Sequence, residues 1–458
     1  MHPAYKRVRV LRRSHAIWMS PRLWRPRLVF WAGALAIGVI SVVFAHVADL
    51  AQELFRNMTA GSGWQSWLPI LITPLGFTFC AWIAYSYFPN SEGSGIPQAI
   101  AARHLTDDED RSRLLSLRLA FGKILLTVIG LFSGASIGRE GPTVQVGASI
   151  MLLSARIGGM AQARGLILAG SAAGISAAFN TPLAGIVFAI EEMGRAYAAR
   201  TNGLVLSAVI LAGLASLGLV GNYTYFGTTT VTASGSAEWV MVLVCGVCGG
   251  AFGAIFSAIV LKASRRIKRL IQPQPLRRIL MIAAGCGLVV ALIGIFSGGQ
   301  TFGTGYEQAR SAVEGASLPP LFFLQKFLAG LLSTVSGIPG GIFAPSLAVG
   351  AGLGSSLGLV FGASASLAAV LGMAGYFAGV VQAPMTAFVI ILEMTGNHDN
   401  VIPLMCASML GYGTARLISH EPLYHGLSRG YIAEALRLKR AKERAEGEPV
   451  SAVQPAGE

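Results

Sequence analysis

Five long apolar runs punctuate the chain, at Val29–His46, Leu68–Tyr87, Leu204–Val220, Val240–Leu261 and Ile279–Phe296. Each reaches the roughly 17 residues that a helix needs to cross a bilayer. Two more, Ala169–Ile190 and Val370–Leu392, are just as apolar but are cut by Gly and Pro. The pattern predicts an all-α integral membrane protein with many crossings and several broken helices. The first run is too long for the apolar stretch of a cleaved leader and lacks a small-x-small cleavage site, so it is expected to remain as a span.

Only 12% of the 458 residues are charged, against about 25% in soluble domains, yet the formal charge is +14. The placement of that charge decides its meaning. Lys6, Arg7, Arg9, Arg12, Arg13, Arg22, Arg25 and Arg27 precede Val29, seven more cations lie between Lys262 and Arg278, and six between Arg429 and Arg444. Cations crowded at the ends of spans mark the cytoplasmic side. With no DNA- or RNA-binding motif present, no nucleic-acid partner is expected, and both termini are placed in the cytoplasm. The five cysteines all fall in apolar runs. Cys245 and Cys248 form a C-x-x-C, but no second pair or histidine cluster accompanies them. Followed by Gly249, Gly250 and Gly253, they read as small residues on a packing face. Neither metal nor cofactor is expected.

The chain repeats itself. Ser133–Ala148 (SGASIGREGPTVQVGA) and Ser336–Ala351 (SGIPGGIFAPSLAVGA) match at seven of sixteen positions when shifted by 203. At a shift of 202, Gly170, Pro182 and Glu191 face Gly372, Pro384 and Glu393; at a shift of 210, Gly93, Gly95, Gln98 and Ala99 recur as Gly303, Gly305, Gln308 and Ala309. Charge orients the halves. The first helix is preceded by the basic arm and so enters from inside. Its counterpart near Val240–Leu261 is preceded by the uncharged stretch Gly221–Ala237 and followed by the basic Lys262–Arg278 segment, so it enters from outside. Two inverted-topology repeats follow, with broken and re-entrant helices expected to meet at a site near the membrane midplane. The boundaries read as a basic cytoplasmic arm over 1–27, a membrane domain over 28–432 (repeats about 28–220 and 238–432), and a charged cytoplasmic tail over 433–458.

Three Gly/Pro-rich stretches interrupt apolar sequence: Gly93–Pro97, Gly138–Pro142 and Gly337–Pro345. Non-helical backbone survives in a membrane only where it lines water or ligand. In the last two, Pro follows Gly at a spacing that suits a helix starting at the Pro. Glycines ahead of a helix start let N–H groups converge under a positive dipole end, and that favours an anion. Between Leu119 and Leu152 only Lys123, Arg139 and Glu140 are charged, and each should face the interior or a pathway. An ionised Glu140 inside an anion-binding loop is a tethered competitor for the anion, and protonation would free the site. Glu191 and Glu192 close a later run beside Met193 and Arg195, with a hydrogen-bonding role expected for Glu191.

GSGIP at 93–97, GREGP at 138–142 and GIFAP at 341–345 resemble the signature sequences of the CLC family of chloride channels and chloride/proton antiporters. Ala172–Met193 and Ala383–Thr395 are similar too, and the resemblance runs over about residues 28 to 428. It implies chloride/proton antiport in a bacterial inner membrane by a homodimer in which each subunit carries its own pathway. By resemblance, Ser94 and Tyr424 face the central anion, the N–H groups of Ile342 and Phe343 complete that site, and those around Arg139–Gly141 form an outer one. Glu140 would be the gate and Glu192 the internal proton-transfer residue, an acid that uncoupled channels of the family usually lack. Lys123 also sits at a familiar lysine position. The serine at 94 favours chloride over nitrate. The second-half counterpart of GSGIP, Gly303–Glu307, diverges and has no obvious role. The roughly 27 residues after Tyr431 are too few for paired regulatory domains.

Two other classes are weighed on their residues. Gly134-Ala135-Ser136-Ile137-Gly138 fits the G-x-S-x-G pattern of serine hydrolases. No histidine lies mid-span as a base, however, and the second repeat has Pro339 where Ser136 stands, so no enzyme is expected. A cation carrier would need acceptors at the midplane. Glu140 and Glu393 could serve, but Arg139 adjoins the first and the glycine-before-helix loops present donors.

Overall fold

A computed structural model describes residues 21–61, 63–193, 202–221, 223–271 and 274–446. Most of the amino-terminal arm (Lys6, Arg7, Arg9, Arg12 and Arg13 with it), Arg195 and the end of the tail lie outside these residues.

Helices α1 (Pro21–Thr59), α2 (Pro69–Tyr87), the short α3 (Ile96–His104) and α4 (Asp108–Leu114), α5 (Leu117–Phe132), α6 (Glu140–Gly158), α7 (Ala163–Phe179), α8 (Pro182–Phe188, running into a π turn at Ala189–Met193) and α9 (Asn202–Val220) make the first half. The second runs α10 (Ser236–Ile271), α11 (Pro275–Phe296), α12 (Tyr306–Val313), α13 (Phe322–Val335), α14 (Phe343–Phe361), α15 (Ala365–Val381), α16 (Pro384–Thr395) and α17 (Val401–Ile418). A last helix, α18 (Leu423–Glu446), stands outside the repeat. Among the described residues eight helical segments are long and apolar enough to span a membrane. Others are not: at about 1.5 Å per residue, the 9 residues of α3 and the 8 of α12 reach only part-way.

Local chemistry explains the repeat's precision. Helix α14 copies the limits of α6 at a shift of 203, and α15 copies α7 at 202. Their ends repeat as well: Gly159 and Gly362 stop α6 and α14 in the left-handed region, and Asn180 and Gln382, both at φ 56, stop α7 and α15. Pro182 and Pro384 open the helices that follow, where a missing N–H costs nothing. One expectation is corrected. Helices α6 and α14 begin at Glu140 and Phe343, two residues before Pro142 and Pro345, so those prolines sit inside the first turn, still among N–H positions that have no intrahelical partner.

The halves meet around a local two-fold axis. Gly138 and Gly341 exchange both backbone hydrogen bonds, each 2.7 Å long. Nearby, the Glu191 carboxylate accepts from the N–H groups of Met385 and Thr386 at 3.1 and 2.6 Å, and Glu393 accepts from Leu183 and Ala184 at the same two distances. Each acid thus caps the start of the other half's helix, where a carboxylate meets the positive dipole end. The hydrogen-bonding role expected for Glu191 is what this clasp provides, and Glu393 is absorbed by it too. Glu393→Leu strands two N–H groups at once. It is expected to cost about 1.5–3 kcal/mol, the range for hydrogen bonds to a charged group, read as a lower unfolding temperature in detergent.

Glycine contacts bind the second half together. A side chain at Gly249 would meet the Tyr376 nitrogen at 2.5 Å, and one at Gly379 would meet the Gly250 Cα at 2.8 Å. Helix α10 therefore lies backbone-to-backbone against α15. Cys245, buried on that face and unoxidised, donates weakly to the Ala368 carbonyl at 3.7 Å. The C-x-x-C belongs to packing.

Candidate anion and proton site

Three loops converge where the repeats meet, and backbone hydrogen bonds stitch them together. The Gly93 N–H donates to the Ile338 carbonyl at 3.2 Å, and the Gly340 N–H donates to the Gly93 carbonyl at 3.0 Å. Lys123, wholly buried, donates from Nζ to the same Gly93 carbonyl at 2.8 Å. Left-handed glycines set the turn: Gly93 at φ 67 and Gly95 at φ 99 deliver the chain into α3. The stitching leaves Ser94 between Gly93 and Gly95 with its Oγ buried and without a protein partner.

The Tyr424 hydroxyl, on the first turn of α18, comes up beside Ser94 and is equally unpartnered. Its ring stacks on Phe343 at 6.0 Å between centroids and 16° between planes, and Phe377, Phe188 and Phe179 close around Phe343. Two orphaned hydroxyls in an aromatic wall are costly unless a ligand meets them. Glu140 stands at the first position of α6, wholly buried. Its carboxylate turns inward, toward its own N–H and that of Ala344 at the start of α14, yet neither oxygen closes a hydrogen bond. The passage is tight: a Cβ on Gly138 would meet Pro345 at 3.2 Å, and one on Gly141 would meet the Ser94 carbonyl oxygen at 2.7 Å and Gly341 Cα at 3.3 Å.

Ser94, Glu140, Gly141, Ile342, Phe343 and Tyr424 are therefore brought together. The Arg139 side chain is not with them. Its Nη1 donates to the Ala45 carbonyl at 2.8 Å and pairs with Asp49 at 2.5 Å on α1, so only its backbone faces the loop. Beyond it lies a cavity of about 350 Å³ lined by Asp49, Gln52, Glu53, Tyr223, Tyr225, Thr304 and Glu307.

The second-half counterpart of the Ser94 loop is built alike and used differently. Lys326 holds the Gly303 carbonyl at 2.7 Å as Lys123 holds that of Gly93, and Gly303 and Gly305 take φ 68 and 78. Thr304, in the place of Ser94, gives both its N–H (3.0 Å) and its hydroxyl (3.3 Å) to the Gln52 amide oxygen. The mirror position is thus filled by a side chain from α1. Lys123→Met is expected to release the Ser94 loop. Removing a buried charge-assisted bond costs about 1.5–3 kcal/mol, which should appear as a lower melting temperature together with weaker chloride binding by titration calorimetry.

Glu192 lies in the π turn, 3% exposed. A π turn inserts one residue into a helix and often marks a functional position. His425, next to Tyr424 on α18, brings Nε2 to 2.9 Å from the Glu192 carbonyl oxygen and 4.0 Å from its carboxylate. The sequence alone does not single out this histidine. Its one signal was adjacency to Tyr424, for a residue next to a site tyrosine on a helix turn emerges near the same mouth. A second group also went unseen: the Tyr431 hydroxyl donates to Glu92 at 3.1 Å and receives Gln98 Nε2 at 3.1 Å, tying α18 to the Ser94 loop. Tyr431→Phe removes both contacts, about 1 kcal/mol each. It is expected to weaken chloride binding several-fold by calorimetry while leaving the fold intact.

A family model described as voltage gated chloride channel matches residues 76–416. The chain belongs to that family. An H(+)/Cl(−) exchange transporter ClcA of Salmonella gallinarum is 30% identical over 482 residues, covering 98% of this chain and 97% of the relative. The ClcA of Citrobacter koseri is 30% identical over 440 residues, with 89% and 90% covered. Among solved structures, a slow cyanobacterial Cl−/H+ antiporter superposes with TM-score 0.78 at 24% identity over 90% of this chain and 98% of that one. A CLC-type fluoride/proton antiporter gives 0.73 at 24% over 89% and 98%. These two likenesses establish the fold: a multi-pass CLC membrane architecture of two inverted repeats. These relatives are named as transporters, and the G-x-S-x-G at Ser136 is accounted for as part of the loop that leads into α6.

Proposed function

We propose that the chain is a chloride/proton antiporter. The observation that carries this reading is that two buried carboxylates, Glu140 and Glu192 (0% and 3% exposed), both act electrostatically on the Tyr424 hydroxyl, which stands beside that of Ser94 in a pocket without other protein partners. Ionised, Glu140 occupies the donors that an anion needs. Protonated, it surrenders them. Proton and anion then compete for one place, which is the requirement for exchange. Backbone N–H groups of Gly141, Ile342 and Phe343, with the Arg139 backbone, supply the donors along the path. Glu192 passes protons between Glu140 and the inner mouth. The names of the ClcA relatives support chloride as the anion and proton as the counter-ion.

The membrane domain of 28–432 with its two repeats, a bacterial inner-membrane location and cytoplasmic termini belong to the same proposal, supported by the basic flanks of the spans. A homodimer is supported by one face. Helices α8 and α16 are only 7 and 12 residues long, too short to meet lipid alone, yet Leu183 and Met385 on them are 60% and 54% exposed. A second copy would cover them.

The test is purified protein in liposomes with chloride efflux and external pH followed together. An outward chloride gradient should drive protons inward against their own gradient. Chloride flux without proton movement would make the chain a passive channel instead. Glu192→Gln should leave chloride flux within a few-fold of wild type and cut proton movement by more than about tenfold, since a neutral amide offers no place for a transferred proton.

A further inference from the structure

The inner mouth contains a titratable group that the exchange reading does not use. His425 Nε2 faces the Glu192 carbonyl oxygen at 2.9 Å and the Glu192 carboxylate at 4.0 Å, and the side chain is 19% exposed while that of Glu192 is 4% exposed. The imidazole therefore stands between a carboxylate cut off from water and the space outside it. We propose that His425 is the proton-loading residue of Glu192, carrying protons between the inner solution and the buried acid. This rests on Glu192 being the internal proton-transfer residue.

The chemistry suits an imidazole. With Nε2–H directed at the Glu192 carbonyl, the opposite nitrogen, Nδ1, takes a proton from the solution side and the ring becomes a cation. A swing of about one ångström, from the carbonyl toward the carboxylate, brings the Nε2–H to hydrogen-bond distance of an acceptor. The Nε2–H bond then breaks as the O–H bond forms, leaving a neutral carboxylic acid and a neutral ring protonated at Nδ1. Rotation or exchange with solvent resets the tautomer. The reverse sequence discharges Glu192. No other reactant is required.

The described surroundings leave this role to His425. Glu191, one residue before Glu192, is committed to the N–H groups of Met385 and Thr386. Arg103 on α3 donates to the Met193 carbonyl, holding the end of the π turn and adding positive charge nearby. On α18 itself, Glu421 is paired with Arg265 and Arg429, and Tyr424 faces Ser94 rather than the solution. From α10, Lys268 lies over the Tyr431 ring at 5.2 Å, nearly two turns further along α18. Helix α15 presents no charged side chain. On α3, the exposed His104 turns Nδ1 to the Ile100 carbonyl oxygen of its own helix at 2.8 Å. An imidazole is the side chain whose charge ordinarily changes close to neutral pH, and His425 is the one recorded against Glu192.

The experiment uses the full-length protein in liposomes of one orientation, comparing wild type, His425→Gln, His425→Ala and Glu192→Gln, with chloride and proton fluxes read separately across inner pH 5.5 to 8. Glutamine keeps an N–H for the Glu192 carbonyl but cannot carry a proton. The expected result for His425→Gln is a proton flux about tenfold lower, without the wild-type inflection of proton flux against inner pH, while uncoupled chloride flux is kept. Imidazole added on the inner side should restore proton flux in His425→Ala and do nothing for Glu192→Gln. Wild-type proton flux and inflection in both histidine variants would overturn the proposal. Chloride and proton fluxes falling together at a constant ratio would also overturn it, because that is the mark of a structural role. If Glu192→Gln itself moved protons normally, the parent assignment would fail first. If only Glu192→Gln lost proton movement, the failure would be that of His425 alone.

Discussion

Glu140→Gln is expected to stop proton movement completely while chloride continues to cross. The substitution keeps shape and volume and changes only charge. In the native chain the carboxylate is enclosed at the start of α6, turned toward the N–H groups of its own residue and of Ala344, with no closed hydrogen bond to either oxygen. That loose hold matters. A carboxylate fixed by short hydrogen bonds would be a structural acid, whereas this one can leave. As an ion tethered beside the donors it competes at an effective concentration on the order of millimolar or more, so chloride must displace it or wait for a proton. Glutamine carries no charge and takes up no proton, which removes both halves of the competition at once. Proton flux should fall to that of protein-free vesicles, and chloride binding measured by calorimetry should tighten. If Glu140→Gln liposomes still acidified against a gradient, the gate would have to be sought elsewhere. A variant that lost chloride flux as well would mean that the carboxylate holds the loop rather than guarding it.

Much of this arrangement is legible in the chain because the residues that build it are punctuation. Gly138, Gly341, Pro142 and Pro345 mark where apolar helices break, and their recurrence at one spacing gives the two-fold relation that the paired hydrogen bonds of Gly138 and Gly341 realise. The same recurrence carries over to residues whose partners the sequence does not name. Glu191 and Glu393 cap each other's helices, and Lys123 and Lys326 hold matching carbonyls. What stays hidden is whatever depends on a partner far away in sequence. Thr304 looks like an unused copy of Ser94 until Gln52, 252 residues earlier, is seen to fill its place. His425 is one of seven histidines until the π turn at Ala189–Met193 brings Glu192 to it. The helix starts of α6 and α14 differ from the expected prolines for a related reason: proline is tolerated throughout the first turn, so its position fixes the start only to within two residues.

Gly141→Ala is expected to close the anion path without unfolding the protein. Gly141 has helical backbone angles, so alanine adds no dihedral strain, and the outcome is decided by space alone. The new methyl would stand 2.7 Å from the Ser94 carbonyl oxygen and 3.3 Å from Gly341 Cα, and would overlap the Ser94 hydroxyl. Two of these neighbours are backbone that cannot swing away. Gly341 is locked to Gly138 by two 2.7 Å hydrogen bonds, and the Ser94 loop by Lys123 at 2.8 Å. Relief must come from pushing the loops apart, at about 1–3 kcal/mol for an overpacked core, a cost that a chain of this size survives. The methyl also fills the space that an anion would need between the Ser94 hydroxyl and the start of α6. Chloride and proton flux should therefore fall together, by more than about tenfold, in protein that still runs as a single species and melts within a few degrees of wild type. The joint loss separates this variant from Glu140→Gln, where chloride flux persists. Ser94→Gly added to Gly141→Ala removes the side-chain overlap but not the contact with the carbonyl. It should recover little flux if the backbone sets the width, and most of it if the hydroxyl does.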